Sequence, residues 1–277
     1  MTAETPVVVK IGGARAVDPE GALSDIASLV EDGTEIVVVH GGSTAVDNTL
    51  ERMDIEPEYV ETPSGVVGRF TDAETMDVFK MAMAGQVNTD LVVGLQNQDV
   101  DAVGLSGADG KLLYGPRKSA VRVVEDGKKK IRRGDHSGRI EEVNAGLLET
   151  LLADGYTPVA SPPMLADDGV AVNTDADRAS AAVAGAVGGT LVSLTDVEGV
   201  YRDPDDPATR IERVETPDDY DELDAAAEGF MNRKVMAATE ALESGADEVV
   251  IADANADAPV STAVDGGGTH ILPSALE

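Results

Sequence analysis

Two runs of β-branched residues, Val7-Val-Val-Lys-Ile11 and Glu35-Ile-Val-Val-Val-His40, each lead directly into a pair of glycines. Short, continuous apolar runs of this kind read as strands buried on both faces. Between them, Asp18-Pro19-Glu20 is a helix start, with a capping Asp and a proline in the first turn. Ala22, Leu23, Ile26, Ala27 and Val30 then form one apolar face, and Gly33 ends it. After the second run, Ser43 is positioned to cap a helix over Thr44 to Met53. Two strand–Gly-Gly–helix units within the first fifty residues make an α/β fold with a mainly parallel sheet the economical solution. Ligands then belong at the carboxyl ends of the strands.

Lys10 sits inside the first apolar run, directly before Ile11, Gly12 and Gly13. A buried lysine is costly unless its charge has a partner. Paired glycines let the backbone turn tightly and approach a ligand closely. One ammonium beside bare backbone suits a phosphate. An edge-strand lysine with its head in water, followed by an ordinary turn, is the other reading.

The alternation continues along the chain. Thr71-Asp-Ala-Glu74 has the form of a capping box opening a long helix towards Gln96. Val100 to Leu105 is an expected strand. Lys111 to Arg139 changes character. Ala120–Val124 and Lys130–Arg133 flank Glu125-Asp126-Gly127, an Asp-Gly hairpin signal, and the segment reads as an antiparallel flap over 111–139. Asn144 caps a helix to Ala153. Tyr156–Ala160 is a strand expected to end at Ser161-Pro162-Pro163, the expected boundary between lobes 1–162 and 163–277. Helices over Thr174–Val187 and Phe230–Glu243 and strands at Val170–Val172, Thr190–Leu194, Glu248–Ile251 and Thr269–Leu272 complete the second half.

Composition narrows the chemistry. The 277 residues suffice for one large domain or two lobes. The chain has no Cys and three His, which excludes disulfides, thiolate catalysis and cysteine zinc sites and argues against a His-rich metal site. With 52 acidic against 21 basic residues, the formal net charge of −31 repels nucleic acid and anionic membranes. The acids are spread through every segment. A carboxylate surface that stays hydrated in concentrated salt, as in a halophile's cytoplasmic protein, accounts for them; an acidic binding face is the weaker account. The sequence shows no signal peptide and no apolar run of about 18 residues, so a soluble cytoplasmic protein is expected.

Neither G-x-x-x-x-G-K-[ST] nor G-x-G-x-x-G occurs. Five other pieces stand in register: Lys10-Ile-Gly-Gly13, His40-Gly-Gly-Ser43, Asn173-Thr-Asp-Ala-Asp177, Leu194-Thr-Asp-Val-Glu-Gly-Val200 and Met231-Asn-Arg-Lys-Val-Met236. In this order and spacing they resemble the amino acid kinase family, over essentially the whole chain. The nearest branch phosphorylates the side-chain carboxylate of amino-blocked glutamate. It includes N-acetylglutamate kinase and the kinases acting on glutamate or 2-aminoadipate carried on the small protein LysW. Gly65-Val-Val-Gly-Arg69-Phe-Thr-Asp72 and the flap pieces Arg117-Lys-Ser-Ala-Val121 and Arg133-Gly-Asp-His-Ser-Gly138 look like the carrier-protein subgroup.

The resemblance implies a three-layer fold of two lobes, the first holding the acyl acceptor and the second ATP with Mg2+. It implies that Lys10 and Lys234 flank the transferred phosphoryl group and that Asp177 orients both; Asp175 is a cap. Gly41, Gly42, Arg69 and Asn173 would bind the acceptor. Gly12, Gly13, Thr195, Asp196, Gly199 and Tyr201 would bind the nucleotide; Glu198 reads equally well as part of a plain turn. No residue stands out as a metal ligand, because magnesium is held mainly by phosphates and water. Arg233 looks like surface. His40, at the end of a buried strand, reads as a satisfied structural residue. A homodimer and a downstream acyl-phosphate reductase are family expectations. N-acetylglutamate kinase, a uridylate or carbamate kinase, and a non-catalytic nucleotide sensor are the alternatives.

From Arg117 to Arg133 the flap carries eight of the 21 basic residues against two acids. Lys128, Lys129, Lys130, Arg132 and Arg133 are therefore expected to dock an acidic amino-group carrier protein; neutralisation by the protein's own acids is the alternative. The acidic surface itself has a direct test. Self-repulsion of a −31 chain is unscreened at low ionic strength, so the melting temperature should rise between dilute and molar potassium chloride. A flat profile would remove the halophile account.

Overall fold

The computed structural model describes residues 5–12, 19–63, 65, 67–125 and 127–277. Gly13, Asp18 and Asp126, assigned above to the phosphate loop, a helix cap and a hairpin turn, lie outside the described residues.

Strands β1 (Val7–Ile11) and β2 (Ile36–His40) are buried along their whole length and pair in parallel, with helix α1 (Pro19–Glu31) between them in the chain. This is the βαβ unit expected from the sequence. Helix α2 (Ser43–Arg52) follows. Its cap position is Gly42, not Ser43; Ser43 is already helical, and no side chain caps this end. A small hairpin of β3 (Tyr59–Glu61) and β4 (Val67–Arg69) then stands off the main sheet.

The long helical segment is continuous, but in three parts: α3 (Ala73–Lys80), a π-helical stretch over Met81–Val87, and α4 (Asn88–Gln96). Asp72 caps it by accepting from the Thr75 amide at 2.8 Å. Thr71 does not cap it; its hydroxyl accepts from the Asn173 amide at 3.3 Å.

Strands β5 (Ala102–Gly107) and β6 (Leu113–Gly115) lead to the flap, an antiparallel ribbon of β7 (Arg117–Glu125) and β8 (Lys128–Gly138). Strand β9 (Glu142–Val143) and helix α5 (Ala145–Ala153), capped by Asn144 as expected, precede β10 (Thr157–Ala166). The expected strand end at Ser161 is absent. The first part of β10 lies in parallel register between β2 and β5, and its last part pairs with β6 and with β11 (Ala171–Val172). Pro162 and Pro163 fall between those registers, where no ladder partner requires their missing N–H.

The second half contributes α6 (Ala176–Val187), β12 (Thr190–Thr195), β13 (Arg213–Val214), α7 (Pro217–Ala226), α8 (Phe230–Glu243), β14 (Glu248–Asp253), α9 (Pro259–Val264) and β15 (Thr269–Ile271). The sheet runs β13-β15-β14-β12-β1-β2-β10-β6-β9, with β5 and β11 also paired to β10. Its centre is parallel, and β1 lies between β12 and β2.

Two aliphatic cores cover the faces. Val8, Val37 and Val39 pack with Ala179 and Val183 of α6. Val7, Val9 and Val38 pack with Ile26 of α1 and Leu91 of α4. Side chains alternate along a strand, so Lys10 shares the α6 face with Val8. That parity decides where its ammonium goes.

Asp25 of α1 ties the sequence ends together. Buried, it accepts from the amides of Val260 (2.6 Å) and Ser261 (2.8 Å) and from the Ser261 hydroxyl, capping α9 from another helix. Asp25→Ala would leave these donors without an acceptor and should lower unfolding free energy by about 3 kcal/mol. Denaturant titration measures it; a loss below about 1 kcal/mol would show the cap to be dispensable.

Candidate active site

At the carboxyl edge of the sheet, one carboxylate stands between two ammoniums. Lys10 arrives on β1 and is 6 % exposed. Asp177 arrives in the first turn of α6, whose cap Asp175 accepts from the amides of Asp177 and Arg178 at 3.0 and 3.2 Å. Lys234 arrives on α8. Lys10 Nζ lies 2.7 Å from Asp177 Oδ1, and Lys234 Nζ lies 3.9 Å from the same oxygen. Oδ1 is buried, and the two ammoniums are its ion-pair partners.

Burial pushes the Asp177 carboxyl up, but the charges of Lys10 and Lys234 override it and hold the group below its ordinary value. Burial, helped by the Lys10 charge, pushes Lys234 below its ordinary value, with Asp177 opposing. The three groups carry a net charge of +1, ready for an anion.

The residues expected to bind the acceptor come from α2, β4 and the segment before α6. Arg69 is mostly buried; its Nη2 donates to Asp47 Oδ1 (2.6 Å) and to the Ser43 carbonyl (3.0 Å), and its Nε has no protein partner. Asn173 is held by Thr71 and by the base of the flap: its amide donates to the His136 carbonyl and its carbonyl accepts from Gly138, both at 2.7 Å. Gly42 opens α2, where first-turn amides are free of helical partners. Gly41 differs from expectation as an anion donor: its amide is taken up by the Ile11 carbonyl at 2.9 Å.

On the other side, Gly12 follows β1, Thr195 ends β12 and Asp196 follows it, with Thr195 Oγ1 donating to Asp196 at 3.1 Å. Gly199 is enclosed: a Cβ there would sit 2.6 Å from Thr269 Oγ1. The Tyr201 hydroxyl donates to Glu198 at 3.2 Å, so Glu198 braces this loop.

His40 is a satisfied structural residue, as expected. Its Nδ1 lies 2.9 Å from the Gly41 carbonyl, and its Nε2 lies 3.1 Å from the Asn88 amide nitrogen. Those partners fit a neutral ring donating from Nδ1 and accepting at Nε2.

In the flap, Lys130 pairs with Glu125 at 2.7 Å, and Arg132 pairs with Glu58 while stacking on Phe70 with its guanidinium 4.7 Å from the ring centre. The protein's own acids thus hold two of the five expected docking residues. Lys128, Lys129 and Arg133 are exposed and form no ion pair among the described residues. No local pattern marks Asp47 or Glu58, which act on side chains 22 and 74 residues away.

A groove of about 460 Å3 lies along α6 and α8, but its arginines, Arg139 and Arg178, are paired with Glu141 and Glu240. Among the described residues, no group of three His, Asp or Glu side chains could hold a metal ion.

The model of the amino acid kinase family matches residues 5–253. The chain belongs to the amino acid kinase family. Its members' phosphotransferase chemistry makes the chain a kinase. This amino acid kinase is 43 % identical over 271 residues to LysW-aminoadipate kinase of Thermus thermophilus, covering 96 % of this chain and 99 % of that one. It is 42 % identical to LysW-aminoadipate kinase of Deinococcus radiodurans, covering 96 % and 91 %. It is also 42 % identical to acetylglutamate kinase of Methanopyrus kandleri, covering 88 % and 93 %. Its fold matches N-acetylglutamate synthase of Neisseria gonorrhoeae, with a TM-score of 0.74 at 24 % identity over 97 % of this chain and 59 % of the synthase chain. It also matches carbamate kinase of Giardia lamblia, with a TM-score of 0.66 at 17 % identity, covering 98 % and 99 %.

Burial pushes the His40 pKa down to about 4 from 6.5. The folded chain therefore binds fewer protons than the unfolded chain between those values. His40 contributes its full stability above pH 6.5 and loses it as pH falls towards 4, a change of about 3 kcal/mol. His40→Gln should remove that part of the pH dependence. Parallel stability curves for the two proteins between pH 6.5 and 4.5 would assign it elsewhere.

Proposed function

We propose that this kinase transfers the γ-phosphoryl group of ATP to the side-chain carboxylate of glutamate or 2-aminoadipate carried on an amino-group carrier protein. The product is an acyl phosphate for arginine or lysine biosynthesis, taken up by a reductase. The observation that carries the proposal is the Asp177 carboxylate, its Oδ1 buried between two lysines drawn from opposite halves of the chain. The relatives named LysW-aminoadipate kinase, at 43 and 42 % identity, support the acceptor.

The acceptor carboxylate has an ordinary pKa near 4.3 and is ionised at neutral pH, so no general base is required. One of its oxygens forms the new P–O bond as the bond to ADP breaks, and the electron pair leaves with ADP. Positioning and cations supply the catalysis. Lys10 and Lys234 hold the charge on the phosphoryl oxygens. Asp177 keeps the two ammoniums together against their repulsion. Arg69, anchored by Asp47, offers its buried Nε to the acceptor's α-carboxylate, and Asn173 meets the end linked to the carrier. The first-turn amides of α2, from Gly42 onward, face the transferring group. Residues 1–162 form the acceptor half. Residues 163–277 form the nucleotide half, with Thr195, Asp196, Gly199 and Tyr201 against ATP and Gly12 and Gly13 completing the phosphate side. Magnesium would be held mainly by the ATP phosphates and water, and would shield the phosphate charge.

The exposed Lys128, Lys129 and Arg133 dock the acidic carrier, while Arg132 and Lys130 stiffen the flap through Glu58 and Glu125. At ~1 M salt the Debye length is about 3 Å, so docking there rests on direct ion pairs. A cytoplasmic homodimer adapted to concentrated salt completes the proposal.

ADP release with carrier-borne and free acceptors tests it. Lys10→Ala and Lys234→Ala should each cut turnover about 100-fold or more, since cation stabilisation of the transition state is worth about 3 kcal/mol; near-normal turnover would sink the mechanism. Changing Lys128, Lys129 and Arg133 to Ser should raise the carrier KM and leave the ATP KM alone. Efficient phosphorylation of free N-acetylglutamate would favour the second reading, acetylglutamate kinase, which the Methanopyrus kandleri relative supports.

A further inference from the structure

The hairpin β3–β4 carries Arg69 but does not belong to the main sheet. It is secured at its sides. On α2, Asp47 receives the Arg69 guanidinium and the Tyr59 hydroxyl, the latter at 3.0 and 3.1 Å. On the flap, Arg132 pairs with Glu58 just before β3. The third tie comes from the other half of the chain: Arg233 of α8 donates from Nη2 to the Val67 carbonyl at 3.1 Å.

Arg233 directly precedes Lys234. Successive residues on a helix point about 100° apart, so one helix turn sends Lys234 to Asp177 and Arg233 to the hairpin. Val67 lies two residues before Arg69 on the same strand, roughly 7 Å along it. A short path of rigid parts therefore connects Arg69 to Lys234: strand β4, one hydrogen bond, and the backbone of α8. The charge of Arg233 also helps hold Asp177 below its ordinary value, which sets it close to the cluster.

We infer that Arg233 is a positioning residue, tying the Arg69-bearing hairpin to the helix that carries Lys234 and fixing the span between acceptor carboxylate and transferring phosphoryl group. The inference rests on the proposed acceptor site. A misplacement of about 1 Å between reacting groups can reduce rate 100-fold, so one hydrogen bond at this span has leverage. Its acceptor is a backbone carbonyl, so the side chain at position 67 is irrelevant to the tie.

Two variants and two readouts test it. Arg233→Met keeps the aliphatic stem and removes the donor; Arg233→Lys retains a charged donor. In Arg233→Met, amide hydrogen exchange should accelerate in the segment from Tyr59 to Arg69 and stay unchanged in the central strands. The acceptor KM should rise about 10-fold and kcat should fall, with the ATP KM within twofold. Arg233→Lys should recover part of both effects, and it decides the matter if Arg233→Met fails to fold. Unchanged exchange in the hairpin overturns the inference. So does a fall in kcat with hairpin exchange and acceptor KM both unaltered, which would mean that Arg233 acts on the phosphoryl group itself. Hydrogen exchange needs no acceptor. Failure of the unmodified enzyme to use a carrier-borne substrate would therefore refute the acceptor assignment separately, with the exchange result still deciding the tie.

Discussion

The attraction between Asp177 and the two lysines beside it is the interaction on which the site depends. Three charges are held where water is scarce, and any one of them alone would be strongly unfavourable there. Each arrives for a separate local reason. Strand parity turns Lys10 to the α6 face, the Asp175 cap starts α6 so that Asp177 falls in its first turn, and α8 brings Lys234. The balance leaves a small positive excess within a chain of net charge −31. A polyanionic nucleotide meets attraction at this edge and repulsion over much of the remaining surface.

The parts of this arrangement legible in the sequence are those with local causes. A single lysine in a β-branched run, an Asp two residues before another at a helix start, and a basic hairpin around an Asp-Gly turn each identify themselves by neighbours. The parts that were not legible depend on residues far apart in the chain. Nothing near Ser161-Pro162-Pro163 reveals that β10 changes partners there, which is what makes the prolines harmless. Thr71 and Asp72 are adjacent candidates for one cap, and the choice is made by Asn173, about a hundred residues on. The Gly41 amide was expected to face an anion, but sheet pairing with Ile11 claims it.

The flap shows how a charge count misleads until geometry divides it. Its basic residues form one cluster in the sequence but two sets in space. One set folds back onto Glu125 and Glu58, and Arg132 also covers the face of Phe70 next to Arg69. The other set faces outward. The inward set gives the flap a fixed place beside the hairpin, so the outward charges are presented from a braced support and not from a loose arm.

The continuation of β10 through its proline pair also limits how the enzyme can move. A hinge between chain halves would have to open the ladder joining β1 to β12, in the middle of the sheet. The central sheet is in that sense a chassis. Admission and release of a large substrate then fall to the two hairpins mounted on its rim, whose attachments are side-chain bonds and a few backbone bonds at the base of the flap. Catalytic cycling in such a molecule resembles the working of a clasp more than the closing of a jaw.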